Sequence, residues 1–497
     1  MDTEIELKLL VAEQDLSRLT AWLDNCPEVM KHYQKTLSNN YFDTPTRQLR
    51  ALDCGLRVRT IDGRSEQTLK TSGKVIAGLH QRPECNIAID GLRPDLFLFN
   101  RNVWGENIDL AELQNSLNSM FSTNFSRKTW LLGFKDESVI EVVLDFGEVS
   151  SGENSIPICE MEFELVKGQP SVLFEFAQKL TFEFQLRLGQ ESKAAAGYRL
   201  LDGAPKPHQP SFPTLKINPT QTIEATLSQL VGAAIKHIQS SEDAFYASSE
   251  LCSLQEIRHG LIWLLQIQKY FKSELPEHSL EVLSQAQKWL PQLDWVVNAA
   301  YTKQILAEKD LYMKKLEDKK QIRNALKIKK SQNDLERKAQ AQQMLASIEY
   351  RQWFLSLVQW LVCSSWRVEG ESLPTLERST KDLAQQILSA SHSQTLHLFT
   401  ENDVLQNCEC LKQMLISSHC FQKTFTEDLH EFHAVWRDLL KGCQELALLQ
   451  YLQNVAQKLE LVDQDAFERW LDRKQQSWKD LIEQSKKIAQ EITLYWN

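Results

Sequence analysis

A strict alternation of charged and apolar residues stands almost at the start of the chain. Glu4-Ile5-Glu6-Leu7-Lys8 places an acid or a base at every second position, and a period of two is typical of a β-strand. Successive side chains of a strand point to opposite faces, so Glu4, Glu6 and Lys8 share one face. That face either meets water, as one face of many antiparallel sheets does, or lines a polar interior.

The same alternation returns far along the chain. Glu160-Met161-Glu162-Phe163-Glu164 again exchanges acid and apolar residues. Residues 139–149 have an extended pattern that places Asp145 on one strand face. These segments predict two further strands, each with an acidic face.

A hairpin with a basic face is predicted between the two alternating segments. Residues 55–61 and 65–70 flank Asp62-Gly63, a dipeptide that is typical of two-residue hairpin turns. Arg57 and Arg59 lie two positions apart and therefore on the same face of the first strand.

Charges are sorted by strand throughout residues 1–200. The basic positions on predicted strands or next to them are Lys8, Arg57, Arg59, Lys70, Arg82, Arg127 and Lys193. The acidic positions are Glu4, Glu6, Asp145, Glu160, Glu162 and Glu164. Faces that only meet water would mix polar residues without such sorting. A closed barrel with a polar lumen explains the pattern and removes exposed sheet edges. The sequence therefore predicts an N-terminal α+β domain built on a closed, antiparallel, eight-stranded β-barrel.

The remainder of the chain follows a helical pattern. With 497 residues the protein is expected to be multidomain. Five prolines between residues 204 and 220 indicate a stiff linker. Beyond it, apolar residues recur at a spacing of three and four. We predict a barrel domain at 1–203, a linker at 204–220 and an all-α helical bundle at 221–497.

Composition excludes several classes of protein. The net charge of −10 argues against a molecule-wide nucleic-acid surface. Ten cysteines without a CxxC pair indicate reduced thiols rather than a disulfide framework. The charged N-terminus argues against a signal peptide, and no apolar run has the roughly 18 residues that a membrane span needs. We expect a cytoplasmic protein with no nucleic-acid partner and no membrane partner.

Sorted acids and bases in one lumen point to a particular ligand chemistry. Arginine and lysine bind phosphate oxygens by charge-assisted hydrogen bonds. Crowded carboxylates are costly to bury, and Mg²⁺ or Mn²⁺ relieves that cost while bridging to phosphates. The combination fits a triphosphate with a metal ion. A network of structural ion pairs fits the same residues, and the pattern alone leaves both readings open.

The opening pentapeptide resembles the ExExK signature of the CYTH, or triphosphate tunnel metalloenzyme, superfamily. Further segments resemble this family in type and order: Leu56-Arg57-Val58-Arg59, Leu69-Lys70, Gly78 to Glu84, Arg127-Lys128, Asp145, Glu160 with Glu162, and Lys193. The resemblance spans roughly residues 1 to 200 and implies an eight-stranded tunnel that binds a triphosphate end to end. It implies a metal-dependent hydrolase, most similar to bacterial CYTH–CHAD inorganic triphosphatases.

Roles for individual residues follow from this resemblance. It implies catalytic roles for Glu4, Glu6 and Lys8. It implies that phosphates are bound by Lys8, Arg57, Arg59, Lys70, Arg82, Arg127 and Lys193. It implies that Mg²⁺ or Mn²⁺ is held by Glu4, Glu6, Asp145, Glu160 and Glu162. Whether Glu164 is also a ligand stays open.

The helical part resembles a CHAD domain, with few of the basic residues and histidines typical of that family. Glu256-Ile257-Arg258-His259 stands where a more basic stretch would be expected. The resemblance implies polyphosphate as a ligand of the helical part and inorganic triphosphate as the substrate of the barrel. Adenylate cyclase activity, thiamine or nucleoside triphosphatase activity, and a non-catalytic polyphosphate-binding scaffold are the alternatives.

Overall fold

The structure is a computed structural model that describes residues 2–61, 63–76, 78–105, 108–203, 215–307, 313, 316–367, 379–398, 404–425 and 430–496. The chain forms two compact units. One comprises Met1–His208 and Ala346–Ser365, and the other comprises Gln209–Leu345 and Trp366–Asn497. Most of the predicted linker, residues 204–214, and Asp62 of the predicted turn lie outside the described residues.

All the strands of the described chain lie in the first unit. In chain order they are β1 Asp2–Leu10, β2 Val29–Asp43, β3 Gly55–Ile61, β4 Arg64–Lys70, β5 Lys74–Ile76, β6 Leu79–Ile89, β7 Asn118–Gly133, β8 Val139–Ser151, β9 Asn154–Lys167 and β10 Arg187–Leu188. The predicted hairpin is β3 and β4, with Ile61 opposite Arg64. Gly63 in the turn has a φ of 77°, a conformation that glycine adopts without steric cost.

Eight of these strands close into a barrel. Their order is β1-β9-β8-β7-β2-β3-β4-β6, each neighbour is antiparallel, and β6 pairs with β1 to complete the ring. The short strands β5 and β10 extend β6 and β1. The predicted closed antiparallel eight-stranded barrel is confirmed.

The pairing register places the predicted charges on the inner face. Glu4 of β1 is opposite Arg82 of β6, and Lys8 of β1 is opposite Glu162 of β9. Their apolar neighbour Leu7 is fully buried on the other side of the strand. The alternation at the start of the chain therefore separates a polar lumen from an outer apolar layer.

Helices make up the rest of both units. Those before residue 203 are α1 Leu16–Asp24, α2 Gln48–Ala51, α3 Leu110–Ser116, α4 Ser171–Glu183 and α5 Lys193–Leu201. Those that follow are α6 Ile223–Ser248, α7 Leu251–Tyr270, α8 Glu277–Ser284, α9 Trp295–Ala307, α10 Lys319–Gln332, α11 Lys338–Ala346, α12 Ile348–Val362, α13 Thr380–Leu398, α14 Val404–Phe421, α15 His430–Ala456 and α16 Gln464–Glu491. The predicted helical C-terminal region is confirmed. None of the described helices combines the length and the apolar character that a membrane crossing requires.

Helix α4 covers the outside of the barrel beside β9. Its Phe176 packs edge-on against Phe163 of β9, with ring centroids 5.5 Å apart. Trp22 of α1 contacts the same ring at 6.1 Å. Burial of these aromatic side chains fixes α4 on the outer face of the strand that carries Glu160 and Glu162.

A helix from the C-terminal half completes the first unit. Gln352 of α12 donates hydrogen bonds from Nε2 to the carbonyl of Gln178 at 2.8 Å and to Thr181 Oγ1 at 2.5 Å, both on α4. Arg351 donates to the carbonyl of Phe184, which caps the end of α4, at 2.8 Å. Residues 346–365 therefore belong with the barrel, which the sequence-based division at 203 and 221 does not anticipate.

Candidate functional site

The barrel interior holds a cavity of about 90 Å³. Side chains from β1, β2, β3, β4, β6, β7 and β9 and from the start of α5 line it. The predicted site residues in this lining are Glu4, Glu6, Lys8, Arg57, Arg59, Lys70, Arg82, Arg127, Glu162 and Lys193. The two other predicted residues, Asp145 and Glu160, lie beside Glu162.

Three buried carboxylates form one side of the site, and we call Asp145, Glu160 and Glu162 the acidic cluster. Asp145 of β8 is directly opposite Glu160 of β9, and Glu162 follows two positions later on the same face. One oxygen of each residue lies within 4.8 Å of one oxygen of the other two. So close a group of carboxylates is stable only when cations neutralise it.

Arginine and lysine side chains neutralise the acidic cluster. Arg127 forms a forked pair with Asp145, at 2.7 and 2.6 Å, and also contacts Glu162 at 2.9 Å. Lys8, whose side chain is only 1% exposed, contacts Glu160 at 2.9 Å and Glu162 at 3.0 Å. These contacts place the charges of β1 and β7 directly against those of β8 and β9.

Lys193 contacts all three carboxylates. Its Nζ is 2.7 Å from Asp145 and 2.9 Å from Glu162, and it also pairs with Glu160. Burial alone would raise the pKa of Glu162, but Lys193, Lys8 and Arg127 outweigh it and hold that pKa well below its usual range. Glu162 is therefore ionised, and all three carboxylates of the acidic cluster are paired with the protein's own cations.

Helix α5 positions Lys193 at its first residue. Ser192 caps the helix by accepting a hydrogen bond from the Ala195 N–H at 3.1 Å. Farther along, the Tyr198 hydroxyl donates to buried Asp43 at 2.6 Å and anchors the helix to the end of β2. Gly189 makes room for Lys8, because a Cβ at that position would lie 2.9 Å from Lys8 Cγ.

Glu4 and Glu6 of β1 form a second acidic group with much less compensation. Lys70 pairs with Glu4, and its Nζ also lies 2.9 Å from Glu84. Burial raises the pKa of Glu4 to about 8, against the attraction of Lys70, and neighbouring carboxylates add to the rise. Burial and the charge of Glu162 likewise raise the pKa of Glu6. A bound cation would relieve these buried negative charges.

An arginine wall faces the cavity from β3 and β6. Among the described residues Arg59 has no carboxylate partner, and its Nε donates to Asn39 Oδ1 at 2.8 Å. Burial lowers the pKa of Arg59, and the nearby charges of Arg57 and Arg127 lower it further. The buried Nε atoms of Arg57 and Arg82 have no hydrogen-bond partner within the described ranges of the chain. Unpartnered buried donors of this kind favour an anionic ligand.

A neutral histidine lies between the arginine wall and β1. His80 lines the cavity opposite Glu6 and is 4% exposed. Burial, with Lys8 and Arg82 nearby, lowers its pKa to about 3. Its Nε2 is buried and has no hydrogen-bond partner in the part of the chain that the structure describes, so the ring offers an uncharged hydrogen-bonding group to a ligand.

Several residues of the site were not singled out from the sequence. They are Glu84, which pairs with Lys70 and lies 3.7 Å from Arg57, together with His80 and Asn39. The period-two rule contains a signal for two of them, because His80 and Glu84 lie two positions on either side of Arg82. Asn39 has no such signal, since a lone amide on a strand is common.

Glu164 continues the inner face of β9 but is not among the residues that line the cavity. Burial, with Glu141 and Glu6 nearby, raises its pKa to about 7. It has no ion pair within the part of the chain that the structure describes.

The donor set fits a hard divalent cation. Carboxylate oxygens, the donors that Mg²⁺ and Mn²⁺ prefer, occur both in the acidic cluster and at Glu4 and Glu6. Burial raises the pKa of both Glu4 and Glu6, and a bound cation would favour their ionised form.

Comparison with known proteins agrees with this geometry. Residues 2–198 match the family model of the CYTH domain. The inorganic triphosphatase of Haemophilus influenzae is 38% identical over 198 residues, which are 40% of this chain and 54% of that protein. The matching region thus spans about half of the length of that curated relative.

Solved structures show weaker likeness. A Hippeastrum protein reported to have a dominant triphosphatase activity is 20% identical, covering 39% of this chain and 95% of its own, with a TM-score of 0.31. The CHAD domain of Ricinus communis is 16% identical, covering 56% of this chain and 97% of its own, with a TM-score of 0.43. Scores at this level support no conclusion of their own.

Proposed function

We propose that the CYTH domain formed by residues 2–198 hydrolyses inorganic triphosphate to diphosphate and phosphate. The main observation behind this proposal is the arginine wall. Among the described residues, the buried Nε atoms of Arg57 and Arg82 have no hydrogen-bond partner and Arg59 has no carboxylate partner. A chain of phosphates supplies many oxyanions for such donors. The similarity to an inorganic triphosphatase supports the same substrate.

The phosphate-binding residues lie on several strands. Arg57, Arg59, Arg82 and Lys70 would hold the substrate from β3, β4 and β6. Lys8, Arg127 and Lys193 would hold it from the side of the acidic cluster. The N-terminus of α5 adds a favourable helix dipole, because Ser192, Lys193 and Ala194 line the cavity.

The cofactor would be Mg²⁺ or Mn²⁺. Glu4 and Glu6 would hold it, with the acidic cluster as the second group of donors. Bound there, the cation would neutralise phosphate charge and make a water molecule more acidic.

The chain's own residues supply the remaining catalysis. Fixed arginines and lysines hold the terminal phosphate in line with an attacking water molecule and stabilise the negative charge that spreads over its oxygens. The reaction requires no protein nucleophile. His80 is neutral at physiological pH. It can therefore accept or donate a hydrogen bond without adding a positive charge to the phosphate site.

Other expectations from the sequence stay proposals. We keep the division into a tunnel domain at 1–203, a linker at 204–220 and a helical domain at 221–497, with the addition that residues 346–365 pack with the barrel. Polyphosphate binding by the helical domain is a prediction that no observation tests. The free thiols of all ten cysteines support a reducing compartment such as the cytoplasm.

Substrate choice is tested with the full chain. Phosphate release is measured from tripolyphosphate, ATP and thiamine triphosphate, with and without Mg²⁺, together with an assay for cyclic AMP. We expect kcat/KM for tripolyphosphate at least about tenfold above that for ATP, about 1.4 kcal/mol in transition-state binding. Equal turnover of ATP, or formation of cyclic AMP, would favour one of the alternatives.

The role of the β1 carboxylates is tested by Glu6→Gln. This change keeps size and removes one charge, so activity should fall by orders of magnitude and the Mg²⁺ needed for half-maximal rate should rise. Glu148→Gln on an exposed position of β8 is the matched control and should leave both unchanged. Parental activity and metal dependence in Glu6→Gln would contradict a ligand role for this face.

A further inference from the structure

The acidic cluster and its three cations form a self-neutralised group. Each carboxylate contacts at least two of the cations. Asp145 pairs with Arg127 and Lys193, Glu160 pairs with Lys8 and Lys193, and Glu162 pairs with all three. Three negative charges are thus balanced by three positive charges inside the barrel.

Neither a metal ion nor a polyphosphate can bind this group alone without breaking its ion pairs. A hard cation needs the carboxylate oxygens that Lys8 and Lys193 now contact. A phosphate must accept hydrogen bonds from the N–H groups that now donate to the carboxylates. Removing one partner of a buried ion pair is strongly unfavourable because it leaves the other charge uncompensated.

We propose that metal and triphosphate bind this group by charge exchange, so that each ligand raises the affinity for the other. The phosphates take over Lys8, Arg127 and Lys193, and the released carboxylates become ligands of a divalent cation. When both are present, each carboxylate and each cation of the group again contacts a partner of opposite charge. The proposal rests on the proposed function for the identity of the anion.

The opposite side of the cavity behaves differently, which makes the exchange specific to the acidic cluster. Glu4 pairs with one cation, Lys70, whereas among the described residues Glu6 forms no ion pair and Arg59 has no carboxylate partner. A first cation therefore binds at Glu4 and Glu6 without displacing a buried ion pair of the acidic cluster. Coupling is expected only for a further cation at the acidic cluster.

The first test measures metal binding without any anion. Mn²⁺ is titrated into the full chain, and free Mn²⁺ is followed by electron paramagnetic resonance. Lys193→Met releases the carboxylates that Lys193 holds, so it should gain a Mn²⁺ site at least about tenfold tighter than any second site of the parent, in the range of allosteric couplings. Arg59→Met is the control, because it removes a cavity cation that contacts no carboxylate among the described residues.

The second test measures anion binding without any metal. Tripolyphosphate is titrated calorimetrically into the full chain in EDTA. Glu160→Gln removes one carboxylate partner from Lys8 and one from Lys193, so it should bind tripolyphosphate at least about fivefold more tightly than the parent. Glu164→Gln is the control, since it removes a charge from the same strand face without breaking an ion pair.

Either folded variant behaving like its control would overturn the charge exchange. Circular dichroism identifies a variant that does not fold, and the other test then decides. Neither measurement depends on substrate hydrolysis. The results therefore test the charge exchange separately from the proposed triphosphatase activity. A parent that cleaves no tripolyphosphate, with both variants as expected, would refute the substrate but keep the exchange.

Discussion

Replacing Gln352 with alanine tests whether a helix from the C-terminal half supports the catalytic barrel. The Gln352 amide donates to the Gln178 carbonyl at 2.8 Å and to Thr181 Oγ1 at 2.5 Å on α4. Helix α4 in turn holds Phe176 against Phe163 of β9. Loosening α12 should therefore loosen α4 and the strand that carries Glu160 and Glu162.

The magnitude follows from the two lost hydrogen bonds. Each contributes about 0.5–1.5 kcal/mol net, so the barrel unit should lose about 1–3 kcal/mol. For a unit of about 150–250 residues, each kcal/mol lowers Tm by about 2–4 °C, so a decrease of roughly 2–12 °C is expected.

Hydrogen exchange of the full chain, read by mass spectrometry, locates the effect. Peptides from α4 and β9 should exchange faster in Gln352→Ala than in the parent, because local opening needs less free energy. Glu349→Gln, at an exposed position of the same helix, is the control and should stay within about 0.5 kcal/mol of the parent. Unchanged exchange in α4 and β9, or an equal change in the control, would refute the assignment of α12 to the barrel unit.

Three further predictions concern the barrel interior. In EDTA, burial raises the pKa of Glu4 from 4.5 to about 8, so the folded state binds the extra proton and stability should fall as pH rises from 4.5 to 8. Urea unfolding at pH 5 and pH 8 checks this, and Glu4→Gln should show a smaller fall than the parent. Gly189→Ala introduces a Cβ 2.9 Å from Lys8 Cγ, so kcat/KM for tripolyphosphate should fall at least about tenfold; a parental value would contradict the placement of Lys8. The double variant Lys193→Met with Glu160→Met removes one charge of each sign and should match or exceed the parent's Tm while losing tripolyphosphate affinity; a large fall in Tm would mean that this ion pair holds the barrel together.

The barrel could be predicted because the alternation of charged and apolar residues in the sequence shows which side chains lie on each face of a strand. In Glu4-Ile5-Glu6-Leu7-Lys8 of β1 and Glu160-Met161-Glu162-Phe163-Glu164 of β9, the charged residues lie on one face and the apolar residues on the other, so one rule assigns both the lumen and the outer layer there. Sorted charges on several strands then favour closure over an open sheet. The same rule identified most of the residues that line the cavity.

Partners across strands were not predictable in the same way. Periodicity shows that Lys70 and Arg127 face inward, but it does not show which carboxylates they meet. That depends on register, which places Arg127 opposite Asp145 and Lys70 opposite Glu84. A shift of two residues would keep every face and change every ion pair.

The place of α12 illustrates a second limit. Tyr350, Trp353 and Phe354 recur at the spacing of an amphipathic helix, and all three side chains are buried. The hydrophobic effect is non-directional, so this pattern does not reveal which surface the apolar face covers. The amide contacts of Gln352 with α4 supply that information only once the fold is known.

The buried charges themselves favour a ligand over a purely structural role. Replacing a buried ion pair by apolar residues of similar volume is often neutral or stabilising, so ion pairs such as Lys8 with Glu160 are a poor way to hold a barrel together. A small barrel can fill its interior with apolar side chains at no such cost. The arginine wall adds unpartnered donors that a structural network would have satisfied. A bound anion supplies the missing acceptors of the arginine wall. Bound together, an anion and a cation also replace the ion pairs of the acidic cluster, because the anion contacts the lysines and the arginine while the cation contacts the carboxylates.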